Sequence, residues 1–258
     1  LADGAALPVT DPAHLWPCPV NRPLVVGPSR TEAAVAGAYF TKSTFHFLKD
    51  LKANNDRAWF AENKNRYEQQ LREPALRFIE AFAPHLRKLS PHFMATPRSL
   101  FRIYRDTRFS RDKSPYKTAA GIHFRHDSAK DAHAPGFYVH IEPGACFIGL
   151  GIWHPDSATL LKIRERIVDD PKTWTKVSRS TAFAGQYRLE GEALKRAPKG
   201  FDPEHPLIED LKRKDFIGMR HVPQSFLTNP DLPKELASTF RKGVPVVRFL
   251  CDAVGVAF

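Results

Sequence analysis

GFYVHIEPGACFIGLGIW, residues 136–153, decides the fold. On each side of a Glu-Pro-Gly-Ala-Cys turn, large apolar side chains alternate with polar, aromatic or glycine residues, the pattern of a tight hairpin of two half-buried strands. Successive side chains in a strand point to opposite faces. Phe137, Val139 and Ile141 therefore oppose Tyr138, His140 and Glu142, while Cys146, Ile148, Leu150 and Ile152 oppose Phe147, Gly149, Gly151 and Trp153. One face is uniformly apolar and needs a cover. The other collects residues that either bind or simply meet water.

Upstream, SLFRIYRD (99–106) and AGIHFRH (120–126) show the same period and predict two further strands. In the first, Phe101 and Ile103 oppose Arg102, Tyr104 and Asp106; in the second, Ile122 and Phe124 oppose His123 and Arg125. Further along, a short strand is expected near 186–190 and another at FIGMRHV (216–222). Helical spacing governs 41–90, with Asp56 as an N-cap and Pro74 opening a further segment. It returns after Asp156, over Trp174–Phe183, over IEDLKRK, and in two segments, 233–242 and 245–255. Helices, then an antiparallel sheet, then helices predict an α+β fold, with four or more strands and one face covered by N- and C-terminal helices.

Residues 1–38 read differently. Pro8, Pro12, Pro17, Pro19, Pro23 and Pro28 disfavour both helix and central strand, so this stretch is expected to be an extended arm, and 39–258 a single domain. Three cysteines, widely spaced and without Cys-x-x-Cys, argue against a disulfide framework or thiolate zinc site and suit a reducing cytoplasm. No basic leader and no apolar run of about 18 residues suggests secretion or a membrane span.

Five segments together are specific: FLKDLKANNDRAWF, SLFRIYRDTRFSRDKSPYKT, HAPGFYVHIEPG, GIWHPD and LKRAPKGFDPEHPLIEDLKRKDF. They resemble a bacterial family of conserved hypothetical proteins, the domain of unknown function 2461 family, from about residue 40 to residue 258. The resemblance implies one cytosolic domain. It carries no established activity and no family catalytic residues, so the chemistry rests on the residues themselves.

The charge points to anionic partners. Lys and Arg number 39 against 28 Asp and Glu, a formal +11. FRIYRDTRFSRDKSPYK (101–117) concentrates it: Arg102, Arg105, Arg108, Arg111, Lys113 and Lys117 are six cations in seventeen residues. Either they form a site for phosphate oxygens, which Arg meets in forked geometry, or they are a solvated edge tied up in local ion pairs. Ser114-Pro115 favours a turn fixing Tyr116 and Lys117. The anion-binding candidates are Arg102, Arg105, Arg108, Lys113 and Lys117, with Tyr104, Asp106, Tyr116 and Trp153 beside them. His140 next to Glu142 is the acid–base candidate, since a nearby carboxylate orients an imidazole and raises its pKa.

No metal site is expected. Neighbouring strands could bring His123, His140 and His154 together with Glu142, but no H-E-x-x-H or close His-x-His spacing supports a cation. A P-loop, G-x-G-x-x-G and G-x-S-x-G are likewise missing. Three functions compete: a pocket for a phosphate-bearing or otherwise anionic small ligand, with or without acid–base catalysis; a module for single-stranded nucleic acid; and a non-enzymatic protein-interaction domain. The sequence specifies no cofactor and no oligomeric state, and does not decide whether the protein is an enzyme.

Overall fold

The computed structural model describes residues 37–128 and 134–258. Its centre is the expected hairpin. Strands β2 (Gly136–Ile141) and β3 (Phe147–Ile152) pair antiparallel, with Val139 opposite Ile148 and Tyr138 opposite Gly149. At the turn, the Ala145 amide donates to the Glu142 carbonyl at 3.1 Å, and Gly144 adopts φ +83°, which glycine allows without steric penalty. β1 (Ala120–Arg125) pairs with β2, while β5 (Phe216–His221) pairs with β3 and carries the short edge strand β4 (Arg188–Glu190). The antiparallel sheet runs β1-β2-β3-β5-β4.

Helices cover its apolar face. After α1 (Lys42–Ala53), α2 (Arg57–Glu62) and α3 (Lys64–Tyr67), a π-turn over Glu68–Arg72 leads without interruption into α4 (Glu73–Leu89). Asp56 caps α2 by accepting from the Trp59 amide, and Pro74, rather than opening a separate helix, follows the π-turn inside a continuous one; the Gln70 carbonyl, which Pro74 cannot serve, accepts from the Thr44 hydroxyl at 2.7 Å. Between β3 and β4 come α5 (Ser157–Asp169), α6 (Pro171–Ser178) and α7 (Thr181–Ala184); α8 (Ile208–Leu211) precedes β5, and α9 (Gln224–Leu227) and α10 (Leu232–Val254) follow it. The two helices expected over 233–242 and 245–255 are a single one. Its stripe of Leu236, Phe240, Gly243, Val247 and Leu250 continues through Pro245, so packing on the sheet outweighs the local break.

The core lies between the sheet and helices α4 and α10. Phe82 meets Phe124 at 4.8 Å between ring centres, Phe240 meets Phe137 at 4.9 Å, and Gly243 admits Leu150 against the α10 backbone. Among the described residues, no helix is long and apolar enough to cross a membrane. The Pro-rich stretch lies outside the described residues except for positions 37 and 38.

The expected strand at 99–106 is the main correction. A 3-10 turn over Pro97–Ser99 precedes an extended segment with only isolated bridges, Leu100 to Ile122 and Tyr104 to Tyr116. Four steps on one side, 100 to 104, thus face six on the other, 116 to 122. The two surplus residues form a bulge that breaks the ladder. Alternation survives along 102–106, but Arg102, Tyr104 and Asp106 face solvent, whereas Phe101 turns to His123 and Tyr138 on the sheet's polar face.

Candidate functional site

The uncovered face of β1, β2 and β3 floors a cleft of about 870 Å³. Its size suits a small organic ligand. Glycines open it. Tyr138 reaches across β1 because Gly121 has no Cβ to obstruct the hydroxyl, and the His123 ring settles over Gly136. A Cβ on Gly149 would meet nothing closer than 3.6 Å, so this glycine keeps the floor low without relieving any clash. Gly151 serves a different end: φ is +121° and a Cβ would overlap the Phe216 carbonyl, so it permits the close approach of β5.

Tyr138, His140 and Glu142 form a chain on this floor. Glu142 Oε2 accepts from His140 Nε2 at 3.0 Å, which leaves Nδ1 as the acceptor for the Tyr138 hydroxyl at 3.2 Å. Phe147 stacks on the imidazole at 4.4 Å and 14°, fixing its plane. Burial, reinforced by the Glu142 charge, pushes the Tyr138 phenol far above its ordinary range. Tyr138 is thereby held as a neutral hydroxyl, able to donate rather than to act as a phenolate. If His140 takes up a proton, both ring nitrogens donate, and the Tyr138 hydrogen is released to point into the cleft.

The bulged residues form one wall. Lys117, Thr118 and Ala119 line the cleft, with the Lys117 Nζ 5.5 Å from the centre of the Phe101 ring. Burial lowers the Lys117 pKa, and among the described residues no carboxylate pairs with it. Its position is set by a clamp the sequence did not reveal. Asn55 donates to the Tyr116 carbonyl at 2.9 Å and accepts from the Tyr116 amide at 3.1 Å, while the Lys117 amide donates to the Ile103 carbonyl at 2.7 Å. Phe60 stacks on Tyr116 at 4.0 Å.

Of the candidates named from the sequence, Arg105, Tyr116, Lys117, His140 and Trp153 line the cleft; Glu142 reaches it through His140. Arg108, Lys113 and the two loop aspartates are engaged within the loop itself. Asp106 takes both Arg108 Nε and Nη2 in a fork, the latter at 2.6 Å, and Asp112 pairs with Arg105. Ser114, through its hydroxyl and amide, and then Arg105 hold the Asp112 carboxyl well below the usual carboxylate range. Lys113 donates to the Thr107 carbonyl at 2.9 Å, and Arg102 and Tyr104 are exposed outside the cleft. His154, at φ +46°, is held by its amide on the buried Asp215, while His123 lies on β1 and His140 on β2. Sequence reasoning passed over Asn55, Phe101 and Tyr138. Tyr138 shares the parity of His140, which was the available signal; Asn55 lies 61 residues from Tyr116, and no local pattern links them.

No curated protein and no solved structure matches the chain. The model of one family, described as conserved hypothetical protein (DUF2461), matches residues 43–249, about four-fifths of the length. That span contains the whole floor, the bulge and the Asn55 clamp, and the chain belongs to this conserved hypothetical family.

Proposed function

We propose that the cleft binds a small anionic ligand with an apolar or aromatic body, and that Tyr138, His140 and Glu142 exchange a proton with it. The observation that carries this reading is Lys117, a half-buried ammonium in an aromatic-walled cleft with no carboxylate beside it among the described residues. An unpaired charge so placed is destabilising until an anion arrives. Phe101, Phe147 and Trp153 supply flat surfaces for the ligand body, and a carboxylate or phosphate monoester supplies the charge. The loop's own ion pairs weigh against the nucleic-acid reading, because cations tied to Asp106 and Asp112 neutralise no phosphate backbone.

The test is a thermal-shift screen of aromatic carboxylates and phosphate monoesters, followed by calorimetry on Lys117→Met. Binding is expected to weaken by at least about tenfold, while the melting temperature of the free protein holds or rises because a desolvated charge is gone. Burial holds the folded-state pKa of Lys117 below its ordinary 10.5, so affinity falls as pH rises through that lowered value and the ammonium is lost. If no anionic compound stabilises the protein, or if Lys117→Met binds as the parent does, the reading is wrong.

A further inference from the structure

We propose that His92, His126 and Asp127, none of which lines the cleft, form a binding site for a divalent transition-metal cation of the zinc class. One ligand atom from each residue lies within 4.8 Å of the other two. The two histidines are 34 positions apart and meet only because the loop after α4 runs beside the end of β1. Backbone bonds fix that meeting: the Asp127 amide donates to the His92 carbonyl at 2.7 Å, and the Met94 amide to the Arg125 carbonyl at 2.9 Å.

His126 distinguishes this cluster from a surface ion pair. The residue is 1% exposed, and its Nε2 sits 2.7 Å from the Ala257 carbonyl oxygen. A carbonyl only accepts, so Nε2 carries the hydrogen and Nδ1 presents its lone pair. A ring held through one nitrogen by a backbone carbonyl, with the other nitrogen aimed at a neighbouring ligand, is the usual support of a metal-bound histidine. Asp127 Oδ1 lies 3.2 Å from His126 Nδ1, and Asp127 Oδ2 lies 3.3 Å from His92 Nδ1. Metal–ligand bonds of about 2.0–2.1 Å in tetrahedral geometry place ligand atoms roughly 3.3 Å apart. Each separation fits but runs to a different carboxylate oxygen, so binding turns the part-exposed Asp127 until one oxygen serves the cation, the three ligand atoms already lying within 4.8 Å of one another. The imidazoles are already near parallel, 11° between planes and 5.6 Å between centres.

Two imidazole nitrogens and one carboxylate oxygen favour zinc, cobalt, nickel or copper over magnesium and calcium, which prefer oxygen ligands. His92 and Asp127 are 36% and 44% exposed, so the fourth position opens to solvent and a water completes the shell. In the metal-free protein Ser128 occupies the same acceptors, its amide donating to His126 Nδ1 at 3.1 Å and its hydroxyl to Asp127 Oδ1 at 3.2 Å. The cation takes over that lone pair, and the Ser128 amide turns away.

The experiment uses the full chain stripped with a chelator, titrated with ZnCl2 by calorimetry and with CoCl2 by visible absorption. One equivalent of zinc is expected to bind, cobalt to show the d–d bands of a four-coordinate site, and MgCl2 to give no response. His92→Ala and Asp127→Ala should each weaken zinc binding by at least about tenfold. Both side chains are partly exposed, so the metal-free variants should melt close to the parent; His92→Gln serves if His92→Ala does not fold. Zinc binding that is absent, or that survives unchanged in the Asp127 and His92 variants, overturns the proposal.

Discussion

The two faces of the central sheet are made by the same residues taken alternately, yet they are built to opposite rules. On the covered face, Phe137, Val139, Ile148 and Phe124 are completely buried, and a single missing Cβ at Gly243 is filled at once by Leu150. On the open face, glycine takes the place of bulk, Phe147 lies flat on His140, and the charged groups are few and held at fixed distances. One side gains stability from contact, while the other preserves a space. Stability and candidate chemistry are therefore separated by a shift of one residue along a strand.

Neighbouring substitutions test that separation most severely. Phe137→Ala should lower unfolding stability by about 3–5 kcal/mol, whereas Tyr138→Phe, one residue on, should lower it by about 1 kcal/mol and change the cleft's chemistry instead. Chemical denaturation measures both; comparable losses would break the contrast. Glycines give the next comparison. Gly243→Ala overpacks Leu150 but gains helix propensity, for a net loss of about 1–2 kcal/mol by the same measurement.

Alkaline pH adds a smaller effect. Burial, with Asp252 adding to it, pushes the Cys251 thiol on the covered side from 9.0 up to about 12, so the unfolded chain loses that proton first. Stability should thus fall as pH rises from 9 toward 12, by about 1 kcal/mol at pH 10 from this group. Tyr138 on the open face acts in the same direction, but only from its ordinary value of 10.0 upward. Denaturant midpoints across this range should be flatter for Cys251→Ala. Smallest of all is Gly149→Ala, expected to change stability by less than about 0.5 kcal/mol while raising the cleft floor and weakening any ligand that rests on it.

Much of this was legible in the sequence because a strand's period of two is local. The hairpin, the faces of β1–β3, the Asp56 cap and the His140–Glu142 pair all follow from neighbours in the chain. What escaped depends on distant partners. The segment 100–106 has strand-like alternation, but its partner carries two surplus residues, and no pattern within 100–106 records that. For the basic loop the sequence left an anion site and local ion pairs as alternatives, and adjacency pointed to Arg105 with Asp106 and Arg111 with Asp112, whereas the fold pairs Arg108 with Asp106 and Arg105 with Asp112. Pro245 predicted a break that buried contacts on both sides override.

Asn55 has one further consequence. The floor of the cleft is inherited from the strands, but its charge is not: Lys117 is moored to the α1–α2 corner through the Tyr116 backbone. A descendant could remodel that corner, keep every strand in register, and present the same hollow with its ammonium swung aside. In this architecture the shape of the hollow and the placement of its ammonium are separable traits, each answerable to a different part of the chain.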